Sequence, residues 1–187
     1  PMTNVQKDGV TDYMFSSPNK DCWLDVVEQE MAPAADANLD ITASFDESTG
    51  KITMTSYYRF AISQDKLNIG ILPIVVEDNL AGYQYNNFYK TVDPDLGPWQ
   101  QGGLYGDEAV LYTHNDVARG IMASSYFGQT GIVPTSVKGG ETYEAAMTFG
   151  KPSVENIYNC KVVCMMIDAN TGRVINVARA KVVSSTG

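Results

Sequence analysis

Histidine is almost missing from this chain: His114 is the only one in 187 residues. Metal and catalytic centres seldom rest on a single imidazole, so multi-histidine chemistry is excluded at the outset. Cysteine is scarce as well. Cys22, Cys160 and Cys164 do not make a disulfide scaffold, although three residues leave room for one bond. Cys160 and Cys164 stand four apart in a strand-like run, roughly 13 Å at ~3.3 Å per residue, too far to bridge. Their spacing is also wrong for Cys-x-x-Cys redox chemistry. Buried free thiols are the expectation.

Positive charge is short too. Thirteen Lys and Arg face 22 Asp and Glu, a formal net charge of −9. Nucleic-acid binding needs clustered cations and is not expected. No cationic amphipathic helix suggests a membrane surface, and the longest apolar run, 69–76, is too short to span a bilayer. There is no Gly-x-Ser-x-Gly elbow, and His114 has no identifiable serine partner. The chain is therefore expected to have no catalytic activity of its own. It opens at Pro1 without a signal-peptide pattern, so any targeting segment is expected to lie outside this sequence.

What is present reads as β structure. The hydrophobic content, 44%, is that of a globular protein with one domain, or one domain and a small appendage. From Asn38 onward, Leu39, Ile41, Ala43 and Phe45 alternate with polar residues, as do Ile52, Met54, Ser56, Tyr58 and Phe60. Between them lies Asp46-Glu-Ser-Thr-Gly-Lys51. A near copy, Asp168-Ala-Asn-Thr-Gly-Arg173, joins strands expected at 158–167 and 174–183. In both, Asp bonds the nearby backbone and Gly supplies positive φ, so two hairpins are predicted. Further strands are expected at 67–77, 108–119 and 142–149. Glycine- and aromatic-rich connections are expected at 80–106 and 120–140. The fold class this supports is mainly β, an antiparallel β-sandwich over residues 36–187.

Residues 1–35 differ. Extended pieces flank a turn at Lys7-Asp8-Gly9, and Pro18 opens a helix with Trp23, Val26, Val27, Glu30 and Met31 at helical spacing. This strand–turn–strand–helix segment resembles the C-terminal third of a thioredoxin-like domain.

The most specific constellation is Tyr112-x-His114-Asn115-x-Val117-x-Arg119, with an apolar strand running into Glu77-Asp78 and on to Gln84. With the ending 163–168 and Val174-Ile-Asn176-Val-Ala178, it resembles the outer-membrane-protein-28-related family of Bacteroidetes cell-envelope proteins. The resemblance covers roughly residues 38–183. It implies an exported, lipid-anchored protein, outer-membrane-associated or periplasmic, with no established enzymatic activity. The family often carries a second histidine where this chain has Asp116, which argues against a two-histidine role.

Three sets of residues are candidates for function. His114 is either a ligand group or a hydrogen-bonded structural residue. On one continuous strand His114, Asp116 and Ala118 would share a face, with Asp116 holding the imidazole. Asn115, Val117 and Arg119 would share the other, and Arg119 is expected to pair with Glu77 or Asp78. Glu77, Asp78, Gln84, His114, Asn115, Asp116 and Arg119 thus form a candidate polar cluster. Tyr83, Tyr85, Tyr89, Trp99 and Tyr105 are a candidate binding surface, since Tyr and Trp stack on sugars and dominate interfaces; the alternative is that they cap the core. No metal site or cofactor is expected, apart from a weak pointer to calcium. Asp36-x-Asn38-x-Asp40 imitates a calcium loop, but Ile41 stands where glycine is required, and Asp93, Asp95, Asp107 and Glu108 offer further oxygens. The expected partner is an envelope protein or a glycan. Two readings stand beside plain scaffolding: a carbohydrate-binding module, or an accessory part of a thiol oxidoreductase whose active site lies upstream.

Overall fold

The structure is a computed structural model that describes residues 5–7, 10–12, 28 and 36–185. Near the N-terminus β1 (Val5–Lys7) pairs antiparallel with β2 (Val10–Asp12), and Glu28 is helical. The remainder of the expected helix, with Trp23, lies outside the described residues. So do Cys22 and the likeness to a thioredoxin-like domain, which needs that helix.

The other strands are β3 (Ala37–Asp46), β4 (Lys51–Phe60), β5 (Ile69–Glu77), β6 (Leu80–Tyr85), β7 (Ala109–His114), β8 (Val117–Ile121), β9 (Thr142–Gly150), β10 (Cys160–Asp168) and β11 (Val174–Ser184). Among the described residues seven of them form one sheet in the order β8-β5-β10-β11-β3-β4-β9, and β6 and β7 form a separate two-stranded ribbon. The protein is mainly β and sandwich-like. Strand β11 joins the two layers: its first part pairs antiparallel with β10, and Val182–Ser184 pair parallel with Ala43–Phe45 of β3. The other neighbours in the sheet are antiparallel.

Period-2 alternation explains the core. Leu39, Ala43 and Phe45 of β3 and Ile52, Met54, Tyr58 and Phe60 of β4 point inward. Facing them are Ile71 and Val75 of β5 and Cys160, Val162, Cys164 and Met166 of β10, all in one apolar cluster. The two repeated turns fold alike. Asp46 Oδ1 accepts from Ser48 N at 2.8 Å and Asp168 Oδ1 from Asn170 N at 2.9 Å. Gly50 (φ 65°) and Gly172 (φ 77°) take the left-handed position that closes each turn.

One expected strand is not continuous. The run 108–119 breaks after His114, because Asp116 adopts φ 56°. Its first part, β7, pairs with β6, and its second, β8, pairs with β5. The start of the expected connection 80–106 is the strand β6. No helix among the described residues is long and apolar enough to cross a membrane.

Candidate functional site

Two sites emerge at the two-stranded ribbon, one at its base and one around Tyr112 and the loop that follows β6. The first lies where the chain crosses between sandwich and ribbon. The β5–β8 ladder ends at Glu77↔Val117, and the β6–β7 ladder begins at Leu80↔His114. Each crossing is a doublet, Asp78-Asn79 on one strand and Asn115-Asp116 on the other. Each doublet has one residue in the left-handed region, Asn79 (φ 62°) and Asp116 (φ 56°), which Asn and Asp tolerate better than other side chains with a Cβ. The doublets bond each other: Asn79 N–H donates to Asn115 Oδ1 at 3.1 Å, and Asp116 N–H donates to Asp78 Oδ1 at 2.9 Å. Lys161 Nζ, from β10, sits between the carboxylates, 2.8 Å from Asp78 Oδ2 and 2.5 Å from Asp116 Oδ1. That ammonium, then the Asp116 N–H, holds the Asp78 carboxyl below its ordinary range, while Asp116 and then Asp78 raise the Lys161 ammonium above its own.

Glu77 closes the base of this crossing. It is fully buried, on the same face of β5 as Ile71 and Val75 and opposite Cys160. Its Oε1 accepts from Asn156 N–H at 2.6 Å. Its Oε2 lies 3.2 Å from Arg119 Nε but takes no hydrogen bond, because that N–H donates to Ser153 O at 3.0 Å. Burial, then the Glu77 charge, pushes the Cys160 thiol up to about 11, and burial pushes Cys164 up to about 12. Neither thiol is a nucleophile near neutral pH.

The expected pairing of His114 with Asp116 does not occur. The left-handed backbone at Asp116 breaks the alternation, and Asp116 turns to Lys161. His114 instead meets the edge of Tyr112, ring centroids 5.2 Å apart at 74°. Gly82 pairs with Tyr112 in the ladder, and a Cβ there would lie 3.3 Å from His114 Cδ2. His114 thus belongs to the second site.

That second site is aromatic. Trp99 packs on Tyr105 (4.8 Å) and Tyr112 (5.5 Å), and Tyr105 meets Tyr112 edge-on at 5.3 Å. Buried Asn86 ties the loop to this stack: its Nδ2 donates to Trp99 O (2.6 Å) and Tyr105 O (2.8 Å), and its Oδ1 accepts from Phe88 N–H (2.8 Å). Beside the stack opens a cleft of about 560 Å³, lined by Gln84, Tyr85, Phe88, Asp95 and Trp99 among others. Among the described residues Trp99, Tyr105 and Tyr112 are no part of the sandwich core cluster. Tyr83 lies on the ribbon's other face, 73% exposed. Tyr89 carries the Lys90 ammonium over its ring at 4.8 Å.

The predicted polar set therefore divides. Glu77, Asp78, Asn115, Asp116 and Arg119 meet at the crossing, while Gln84 and His114 join the aromatic site. Sequence reasoning passed over Lys161, Asn79 and Asn86, and used Tyr112 only in the family pattern. The doublets Asp-Asn and Asn-Asp were a usable turn signal; nothing local marked Lys161 or Asn86.

The calcium pointer is not supported by the geometry. Asn38 and Asp40 lie in the extended strand β3, which spreads their oxygens along a line, and Asp36 pairs with Arg173 at 3.1 Å. Asp93 caps the 3₁₀ segment Pro94–Trp99 by accepting from Asp95 N–H. Among the described residues no three His, Cys, Asp or Glu side chains gather as a metal site.

Comparison with known proteins gives an identity to this arrangement. The family model described as outer membrane protein Omp28 matches residues 6–186. The structure of HBP35 of Porphyromonas gingivalis is similar in fold, with a TM-score of 0.56 at 13% identity, covering 89% of this chain. This chain spans about half of that one, 48%. A domain of the outer membrane lipoprotein Omp28 from Porphyromonas gingivalis also matches, at 15% identity and a TM-score of 0.41, covering 82% of this chain and 93% of that one. No curated protein matches. The family match spans nearly the whole sequence, so the chain belongs to the Omp28 family of outer membrane proteins, a family of the cell envelope.

Proposed function

We propose that this chain is a non-catalytic binding domain of the cell envelope that engages its ligand through the aromatic cleft of the β6–β7 ribbon. The observation that carries the reading is the cleft itself. Half-buried Trp99 and exposed Tyr85 and Phe88 line an open volume of about 560 Å³ beside a stack held in place by buried Asn86. Such a volume falls within the ~300–1,000 Å³ of small-molecule sites, and exposed aromatics with a few polar groups are what such sites use. The polar cluster at the crossing is a support, because its charged groups are already spent on one another. The family is one of outer membrane proteins, and lipid attachment is proposed for the precursor of this chain.

The test is retention of a solubilised envelope fraction on the immobilised chain. Replacing Trp99 by Ala is expected to lower retention about tenfold or more, the loss typical of a central aromatic contact. Replacing Tyr83, on the opposite face, is expected to change little. Equal retention by the two variants and the parent chain overturns the reading.

A further inference from the structure

We propose that the cleft takes an uncharged polysaccharide, with a sugar ring stacked on its aromatic wall and hydroxyls bonded to Asp95, Gln84 and Asn87; this rests on the binding reading above. The lining narrows the ligand class by charge. Gln84 and Asn87 contribute carboxamides, Tyr85, Phe88, Trp99 and Tyr112 contribute rings, and Asp95 is the one charged group, with no Lys or Arg among the described lining residues. A phosphate, sulfate or uronate ligand would meet a carboxylate and no cation, on a chain of net charge −9. An acyl chain would leave the Asn87 amide and the Asp95 carboxylate without partners, a cost of about 1–3 kcal/mol for each desolvated group. A neutral sugar satisfies both halves of the wall. Its C–H face covers an aromatic ring, and its hydroxyls donate to a carboxylate and pair either way with an amide.

Shape supports the same class. Trp99 is braced from behind by Tyr105, Tyr112 and, through Tyr112, His114. Asn86, only 4% exposed, spends both amide hydrogens and its oxygen on the loop's backbone. The cleft is therefore formed before a ligand arrives, which lowers the ordering cost of binding. Gly82 leaves room for the His114 ring that packs on Tyr112.

The test is a ¹H–¹⁵N titration of the full chain with maltohexaose, cellohexaose, mannohexaose and xylohexaose. A galacturonic acid hexamer is the anionic control, and an unstructured neutral decapeptide is the protein-like one. At least one neutral hexasaccharide is expected to shift the Trp99 indole and Asn87 side-chain signals, and the uronate to shift neither. Asp95→Asn is expected to weaken binding about tenfold, the value of one charge-assisted hydrogen bond. Tyr85→Ala, at a site 73% exposed and so without effect on folding, is expected to weaken it as well. Trp99→Phe is expected to keep the fold and part of the affinity. No shift with any neutral sugar, a shift with the uronate, or undiminished binding by Asp95→Asn and Tyr85→Ala together overturns the proposal. If the decapeptide moves the Trp99 signal while no sugar does, the glycan proposal falls and the binding reading stands. If envelope retention is also indifferent to Trp99, both fall.

Discussion

The sandwich and the ribbon are stabilised by different means. In the sandwich, Ile52, Met54, Ile71, Val75, Val162 and Met166 are wholly shielded from solvent and belong to one cluster. Its stability is burial of apolar area, which is non-directional and shared among many residues. The ribbon has two strands and no such core, and Tyr83, Tyr85 and Leu111 are each more than half exposed. A two-stranded hairpin alone is marginal in water. Here it depends on directional contacts: Asn86 within the loop, a four-ring stack, and the Asp78–Lys161–Asp116 clamp at its base. The sandwich is thus built to persist, and the ribbon to present a surface held at a defined angle.

The comparison can be broken most forcefully in the core. Met54→Ala deletes a side chain with no solvent exposure and is expected to cost about 2–5 kcal/mol, read as a lower denaturant midpoint. Ribbon signals are expected to melt with the sandwich; ribbon structure that outlasts it would refute the dependence. Next in size is the junction. Glu77→Ala leaves the Arg119 guanidinium without its carboxylate and strands the Asn156 N–H, and is expected to cost roughly 3 kcal/mol, whereas Glu77→Leu with Arg119→Leu still strands that N–H and is expected to recover only part of the loss. A double variant as unstable as the single would show that the Asn156 bond, and not the charge pair, carries the effect.

Asn86→Ala separates the regions. Three hydrogen bonds at about 1 kcal/mol each are lost, and the effect is expected in hydrogen exchange of the ribbon while the strands from Ile52 to Met166 keep their protection. The smallest expected effect is the pH dependence of the clamp. Asp78 has a folded pKa below its ordinary 3.8, so its contribution is present above that pH and is lost as pH falls through the lower folded value. Lys161 has a folded pKa above its ordinary 10.5, so its contribution is present below that pH and lost as pH rises through the higher value. Ribbon amides are therefore expected to exchange at a protection that is flat between those limits and falls outside them. Ribbon protection that stays level far below pH 3.8 and far above pH 10.5 would contradict the clamp.

Much of this molecule is legible in its residues. Alternation marks the inward rows of β3 and β4, and the twin Asp-to-Gly turns mark both hairpins, because strand faces and tight turns are decided by neighbours in the chain. The His114–Arg119 stretch carries the family resemblance that the match over residues 6–186 establishes. Where reasoning from periodicity fails, it fails at one residue. A left-handed Asp116 costs a side chain little and is invisible to a polar/apolar pattern, yet it sends His114 and Arg119 to different sites.

Sequence alone determined the β class, the two hairpins, the absence of clustered cations and the family. Tertiary structure decided which polar residues meet. Asn79 and Asn115 are 36 positions apart, Asp78 and Asp116 are 38 apart, and Lys161 arrives from a strand that neither crossing predicts. Contacts across such separations depend on how strands pair in the sheet, and pairing is set by the whole core at once, not by any local run of residues.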